Sequence, residues 1–197
     1  MNKEEFIRRF QHIRKIKPEA DFPLTEIGKP AAVLIPIIER ADQLTVLFTQ
    51  RAMHLKNHPG QVSFPGGKLE KSDIDLAHTA LRETEEEIGL TPEKITLIGS
   101  LPKYRTVSRF EVTPFLSFVQ PEFELILDRN EVDNVFEVPL LHLINKQNHF
   151  IHWVNRGQIK HPIYFITWQD KTIWGATASF VRLLSNHIDY ESLDETV

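Results

Sequence analysis

The apolar residues of this chain fall into runs whose period changes along its length. AAVLIPIIER (31–40) and LTVLFTQR (44–51) are apolar, partly β-branched and separated by a short polar turn. They predict paired strands, with Pro36 marking an edge or a bulge because proline cannot donate to a ladder. Further on the period lengthens. Ala77, Ala80, Leu81, Thr84 and Ile88 recur at i, i+3, i+4, i+7 and i+11, which predicts a helix with that stripe facing a core. Ser72 or Asp73 can cap its start, and Gly89 with Pro92 closes its end. KITLIGSL (94–101), FEVTPFLSFV (110–119) and FELIL (123–127) read as strands. HFIHWVN (149–155) and HPIYFITW (161–168) read as a hairpin turning at Asn155-Arg156-Gly157. VPLLHLIN (138–145) reads as a short helix and residues 171–187 as a closing one. Phe6, Phe10 and Ile13 lie at helical spacing among charges, predicting an amphipathic helix over 1–16 that docks on the domain. With no internal repeat, low-complexity tract or linker, the 197 residues are expected to form one α/β domain, a mixed sheet flanked by helices.

Composition narrows the function more than the fold. A formal net charge of -4 gives no global positive field for nucleic acid, and no interleaved basic and aromatic platform appears. No run approaches the ~20 apolar residues that span a bilayer. The first residues lack the apolar core of a signal peptide. The chain has no cysteine, which excludes thiolate nucleophiles and cysteine-bound zinc and fits a reducing compartment. A cytoplasmic protein acting on a small molecule, without nucleic acid or membrane, is the expectation. Monomer and homodimer both stay open. No pair of histidines has HExxH spacing, so zinc hydrolysis is disfavoured.

The chemistry concentrates in two adjacent stretches. In ALRETEEEIGL (80–90), four glutamates crowd the end of the predicted helix, where the macrodipole opposes each by about 0.3–1 kcal/mol. At 100° per residue, Glu83, Glu86 and Glu87 share an arc of about 100°, beside the core edge, and Glu85 points elsewhere. A solvated acidic face is the plain reading. The other is that three repelling carboxylates hold a hard divalent cation, Mg²⁺ or Mn²⁺, with Arg82 an internal counter-charge for Glu83. Upstream, no acid occurs between Gln43 and Leu69, a stretch that carries Arg51, His54, Lys56, His58 and Lys68. From Ala52 to Leu69 the chain has two prolines and three glycines and reads as an ordered loop, held by Val62 and Phe64. A basic loop followed by an acidic helix suits metal-assisted chemistry on a phosphoester. FPGG (64–67) lets backbone approach a ligand closely.

Gly67 followed by RETEEEIGL resembles the Nudix box, Gly-x5-Glu-x7-Arg-Glu-U-x-Glu-Glu-x-Gly-U, where U is apolar. Arg82, Glu83, Glu86, Glu87, Gly89 and Leu90 match position by position. Thr84 stands at a U position, and the spacing from Gly67 to Arg82 is one residue longer. No glutamate occupies the intermediate acidic position, for which Asp73 or Asp75 could stand in. LFTQRAMHLKNHPGQVSFPGG (47–67) resembles the further signature of the coenzyme A pyrophosphatase branch. Leu47, Thr49, Arg51, Ala52, Gly60, Phe64, Pro65, Gly66 and Gly67 match, Phe48 replaces a leucine, and Lys56 replaces an arginine. The lysine keeps the charge but not the bidentate fork.

The resemblance covers 47–90 and implies a Nudix α/β/α sandwich that hydrolyses a nucleoside diphosphate linked to another moiety. For coenzyme A or its acyl derivatives the products would be 3′,5′-ADP and 4′-phosphopantetheine. It implies Mg²⁺ or Mn²⁺ on Glu83, Glu86, Glu87 and the Gly66 carbonyl, with Glu83 a ligand or the base. Arg51, Lys56, Gly60 and Phe64 would bind substrate. Glu111 or Glu131 would add a further acid. ADP-ribose, NADH or dinucleoside polyphosphates are the alternative substrates, and a non-catalytic nucleotide sensor the alternative class.

Overall fold

The protein is described by a computed structural model over residues 1–12, 19, 27–156 and 159–188. At its centre is β1 (Lys29–Glu39), which explains the unbroken apolar run there. Ala32, Leu34 and Ile38 join the clusters that include Ala80 and Ile88, whereas Ala31, Ile35 and Ile37 join the cluster on the opposite face. A strand buried on both faces needs apolar side chains at odd and even positions alike.

β1 pairs in antiparallel fashion with β2 (Leu44–Arg51) and with β4 (Gly66–Lys68), and in parallel with β7 (Phe110–Val119). β3 (Val62–Ser63) and β8 (Val132–Pro139) pair β2, while β5 (Ile95–Ser100) and β6 (Tyr104–Arg105) pair β7. The sheet is therefore mixed and eight-stranded. Pro36 is on an interior strand, not at an edge. β4 pairs 31–33 and β2 pairs 37–39, so Pro36 falls in the gap between two partners on one side. The ladder loses nothing by its missing N–H.

The predicted helix is α2 (Leu76–Ile88), which packs on β1. On the other face lie α1 (Lys3–Gln11), α3 (Leu140–Ile144) and α4 (Ala176–Ile188), with core residues Phe6, Leu143 and Phe180. β9 (His149–Arg156), β10 (Ile159–Trp168) and β11 (Lys171–Trp174) form a separate antiparallel sheet. The first helix is thus shorter than 1–16, and Ile13 to Ile16 lie outside the described residues, as does Gly157 of the hairpin turn. Residues 171–174 belong to a strand, and Gly175 at φ +64 separates them from α4. The short helix holds only 140–144, because Val138 and Pro139 end β8. FELIL is not a strand. Phe123, Leu125 and Leu127 alternate inward as a strand would, but the backbone partners differ. Ile126 N–H donates to Ile88 C=O at 2.9 Å and Asp128 N–H to Glu87 C=O at 3.0 Å, so the segment satisfies carbonyls at the end of α2.

Candidate metal and phosphate site

α2 is held at both ends by its own sequence. The Asp75 carboxylate accepts the His78 N–H at 2.8 Å and is the N-cap, in place of Ser72 or Asp73. Gly89, at φ +71, closes the helix by donating its N–H to Glu85 C=O at 2.8 Å.

Asp73 has a different task. Its side chain is 0 % exposed, and it accepts Arg82 Nε at 2.9 Å and Arg82 Nη2 at 3.0 Å. This two-pronged bond from the guanidinium holds the Asp73 carboxyl well below the usual carboxylate range. The other N–H groups of Arg82 reach Glu83 Oε1 at 3.1 Å, Glu86 Oε2 at 2.8 Å and Lys68 C=O at 3.2 Å. Arg82 therefore ties the turn before α2 to two of its glutamates. Of the two acids weighed from sequence, Asp73 is the one bound to Arg82.

The three glutamates are not equivalent. Glu86 is 59 % exposed and Glu83 half-buried, whereas Glu87 is 6 % exposed. Glu87 thus corrects the expectation that all three flank the core edge. The burial of α2 includes Thr79 and Glu87 as well as Ala80, Thr84 and Ile88. Burial pushes the Glu87 carboxyl up to about 8, with Glu83 and Glu131 raising it further and Arg51 and the Gly66 N–H opposing. Burial raises Glu83 too, against the pull of Arg82. Glu87 Oε2 is buried with no hydrogen-bond partner. Glu85 is exposed, the bystander of the four.

β4 brings backbone to this face. A Cβ on Gly66 would strike the backbone of Ala32 and Val33, and one on Gly67 would fall on the Glu83 carboxylate. The third group of residues comes from β2 and the turn before β8. Ala52 N–H donates to Glu131 C=O at 2.8 Å, which sets Glu131 beside Arg51, and Glu131 acts electrostatically on Glu83 and Glu87. Glu111 instead pairs with Lys103 at 2.9 Å. Lys56 is exposed on the loop, and Gly60 holds a turn at φ +69. Phe64 corrects a second expectation. It is 3 % exposed and stacked on Phe48 with centroids 4.6 Å apart, a core residue beneath the loop and not a surface for substrate.

Among the described residues no three acids or histidines are gathered into a ready cage. Arg82 Nη1 meanwhile bonds both Glu83 and Glu86. The donor set nevertheless fits a hard divalent cation. It offers carboxylate oxygens only, one of them buried and orphaned, in a cluster whose members repel.

A family model described as NUDIX domain matches residues 28–161. The uncharacterized Nudix hydrolase NudL of Yersinia enterocolitica is 35% identical over 185 residues, 94% of this chain and 92% of its own length. Its namesake from Shigella flexneri is 36% identical over 186 residues, 94% of each chain. Among solved structures, a binary complex of C. elegans Ap4A hydrolase aligns with a TM-score of 0.50 and 22% identity over 56% of this chain and 80% of that one. RenU, a Nudix hydrolase from M. smegmatis, aligns with a TM-score of 0.50 and 18% identity over 58% of this chain and 73% of that one. At these identities the structural likeness establishes the fold.

Proposed function

Because this chain belongs to the Nudix family, we propose that it hydrolyses the pyrophosphate of coenzyme A or a derivative, giving 3′,5′-ADP and a 4′-phosphopantetheine. The observation that carries the chemistry is Glu87, a buried carboxylate with an orphaned oxygen, pressed by Glu83 and Glu131. Such a group is costly without a cation to meet it. Glu86 and Glu87, with the Gly66 carbonyl and Glu131 at hand, would hold Mg²⁺ or Mn²⁺, which leaves Glu83 for the base. A divalent cation bound there would offset pyrophosphate charge and lower the pKa of a bound water.

The chain's own groups do the rest. Arg51, on the loop side of Glu87, binds a phosphate, and exposed Lys56 adds charge at the loop surface. Glu83, raised by burial and oriented by Arg82 Nη1, takes the proton of the attacking water. Water adds to one phosphorus, the bond from that phosphorus to the bridging oxygen breaks, and two monophosphates leave. Arg82 is a positioning residue, its guanidinium occupied by Asp73, Glu83, Glu86 and Lys68.

The coenzyme A assignment rests on the 47–67 signature. It is tested by incubating the protein and Mg²⁺ with coenzyme A, an acyl derivative, ADP-ribose, NADH and diadenosine polyphosphates, then separating the products. The highest kcat/KM is expected for a coenzyme A species. A clear preference for ADP-ribose would overturn the substrate and keep the chemistry. The Glu86→Gln variant, altered at an exposed position, should keep its fold and lose turnover.

A further inference from the structure

A cavity of about 460 Å³ lies beside the signature loop, outside the carboxylate cluster. Its wall is made by His58 and Gln61 of the loop, Tyr104 and Val107 near β6, Ile163 of β10, and Trp174 before α4. No Asp, Glu, Lys or Arg lines it, its titratable groups besides Tyr104 are His58 and His161, and its surface is mostly apolar. A second cavity of about 600 Å³, across Trp174, differs in having Asp170 and Lys171 in its lining.

We propose that the 460 Å³ cavity binds the uncharged, chain-like half of a pyrophosphate-linked substrate, an amide- or thioester-bearing arm with an apolar end; the identity of the whole substrate rests on the pyrophosphatase reading above. Three observations carry it. The first is charge. A phosphate placed there would lose its water against a mostly apolar wall that offers no Lys or Arg, whereas a neutral arm loses little, gains burial and can meet the hydroxyls of Thr106 and Ser108. The second is continuity with the loop. Arg51 N–H donates to Gln61 C=O at 3.0 Å and Gln61 N–H to His58 C=O at 3.2 Å. The loop bonded to Arg51 at the end of β2 therefore forms part of the cavity wall, and a substrate with its phosphate at Arg51 has this cavity beside it. The third is rigidity. Thr177 Oγ1 donates to Val62 C=O at 3.2 Å, and Ser179 Oγ to the Tyr104 hydroxyl at 3.1 Å, which fixes α4 against β3 and β6. A preformed cavity of this size is in the range that takes a small-molecule arm.

The test uses probes without phosphate, acetyl-pantetheine and hexanoyl-pantetheine, titrated against the full chain while tryptophan emission is read. Saturable binding is expected, tighter for the hexanoyl probe by about tenfold or more, since each buried methylene is worth about fourfold. Val107 is exposed in its turn, so Val107→Asp should fold and should abolish this binding. The same variant should raise KM for hexanoyl-coenzyme A about tenfold or more. Absence of saturable binding in the wild type overturns the proposal, as does binding indifferent to Val107→Asp. Probe binding that Val107→Asp abolishes, in a protein that hydrolyses no coenzyme A, would remove the substrate reading and leave the cavity assignment standing.

Discussion

Gly66 and Gly67 are neighbours, yet each must be glycine for a different reason. At Gly66, with φ +154, a Cβ would meet the backbone of β1, which cannot step aside. Gly66→Ala should therefore cost about 1–3 kcal/mol of stability, read by urea unfolding. At Gly67 the obstacle is the Glu83 carboxylate, the free end of a flexible side chain. Gly67→Ala should stay within about 0.5 kcal/mol of the wild type. It should nevertheless lose about 100-fold in turnover, because a catalytic group is displaced by roughly an ångström. A stability loss at Gly67 equal to that at Gly66 would count against this division. The sequence displayed the glycine pair but not this difference, since what a Cβ would strike depends on strands distant in the chain. Phe64 was misread for the same reason. It stands between Ser63 and Pro65 in a signature, where it can be counted both as holding the loop and as touching substrate, and its stack on Phe48 decides for the core.

At the scale of elements, α2 was legible in period, caps and acidic face. The rotation of its buried arc was not. Glu87 is polar, so a hydrophobic stripe cannot count it, and its burial is set by β4 and the 128–131 turn. Two acids before the helix divide the work. Asp75 caps the backbone, so Asp75→Ala should cost about 1 kcal/mol with little change in turnover. Asp73 orients Arg82, so Asp73→Asn should lose about 10- to 100-fold in kcat/KM, the usual effect of removing a supporting partner. Steady-state kinetics beside chemical unfolding separates the two. The strands that escaped sequence reading failed for identifiable causes. β8 carries Asp133, Asn134 and Glu137, which disfavour strands, yet it pairs along the length of β2, and Glu137 there binds Arg40 and Thr45. FELIL showed the converse, a strand's alternation spent on capping a helix.

At the scale of the molecule, a doubly buried β1 with α2 on one face and α1, α3 and α4 on the other follows from the apolar runs. Parallel pairing of β1 with β7 does not, because period alone carries no direction. The packing of the far face also has a consequence for pH. His149 is buried, with its Nε2 at 2.6 Å from Leu143 C=O. Burial lowers its pKa, Arg182 and Lys146 add to that, and the bond to Leu143 and the charge of Glu19 oppose. Since the folded chain resists a proton that the unfolded chain accepts, the His149 contribution is fully present above about pH 6.5 and is lost as pH falls below it, whereas Glu87, its carboxyl raised by burial, acts in the opposite sense over the same range. The melting temperature of the wild type relative to His149→Gln should therefore fall as pH is lowered from 8 to 5. The central claim, that Glu87 is kept buried for a divalent cation and not for the fold, is tested most directly by the Mg²⁺-dependent rate of coenzyme A hydrolysis in Glu87→Gln. The prediction is a loss of about 1,000-fold or more in a protein that melts no lower than the wild type without metal, since burial already favours the neutral carboxyl that the Gln amide replaces at the same size. Near-normal turnover in that variant would contradict the account.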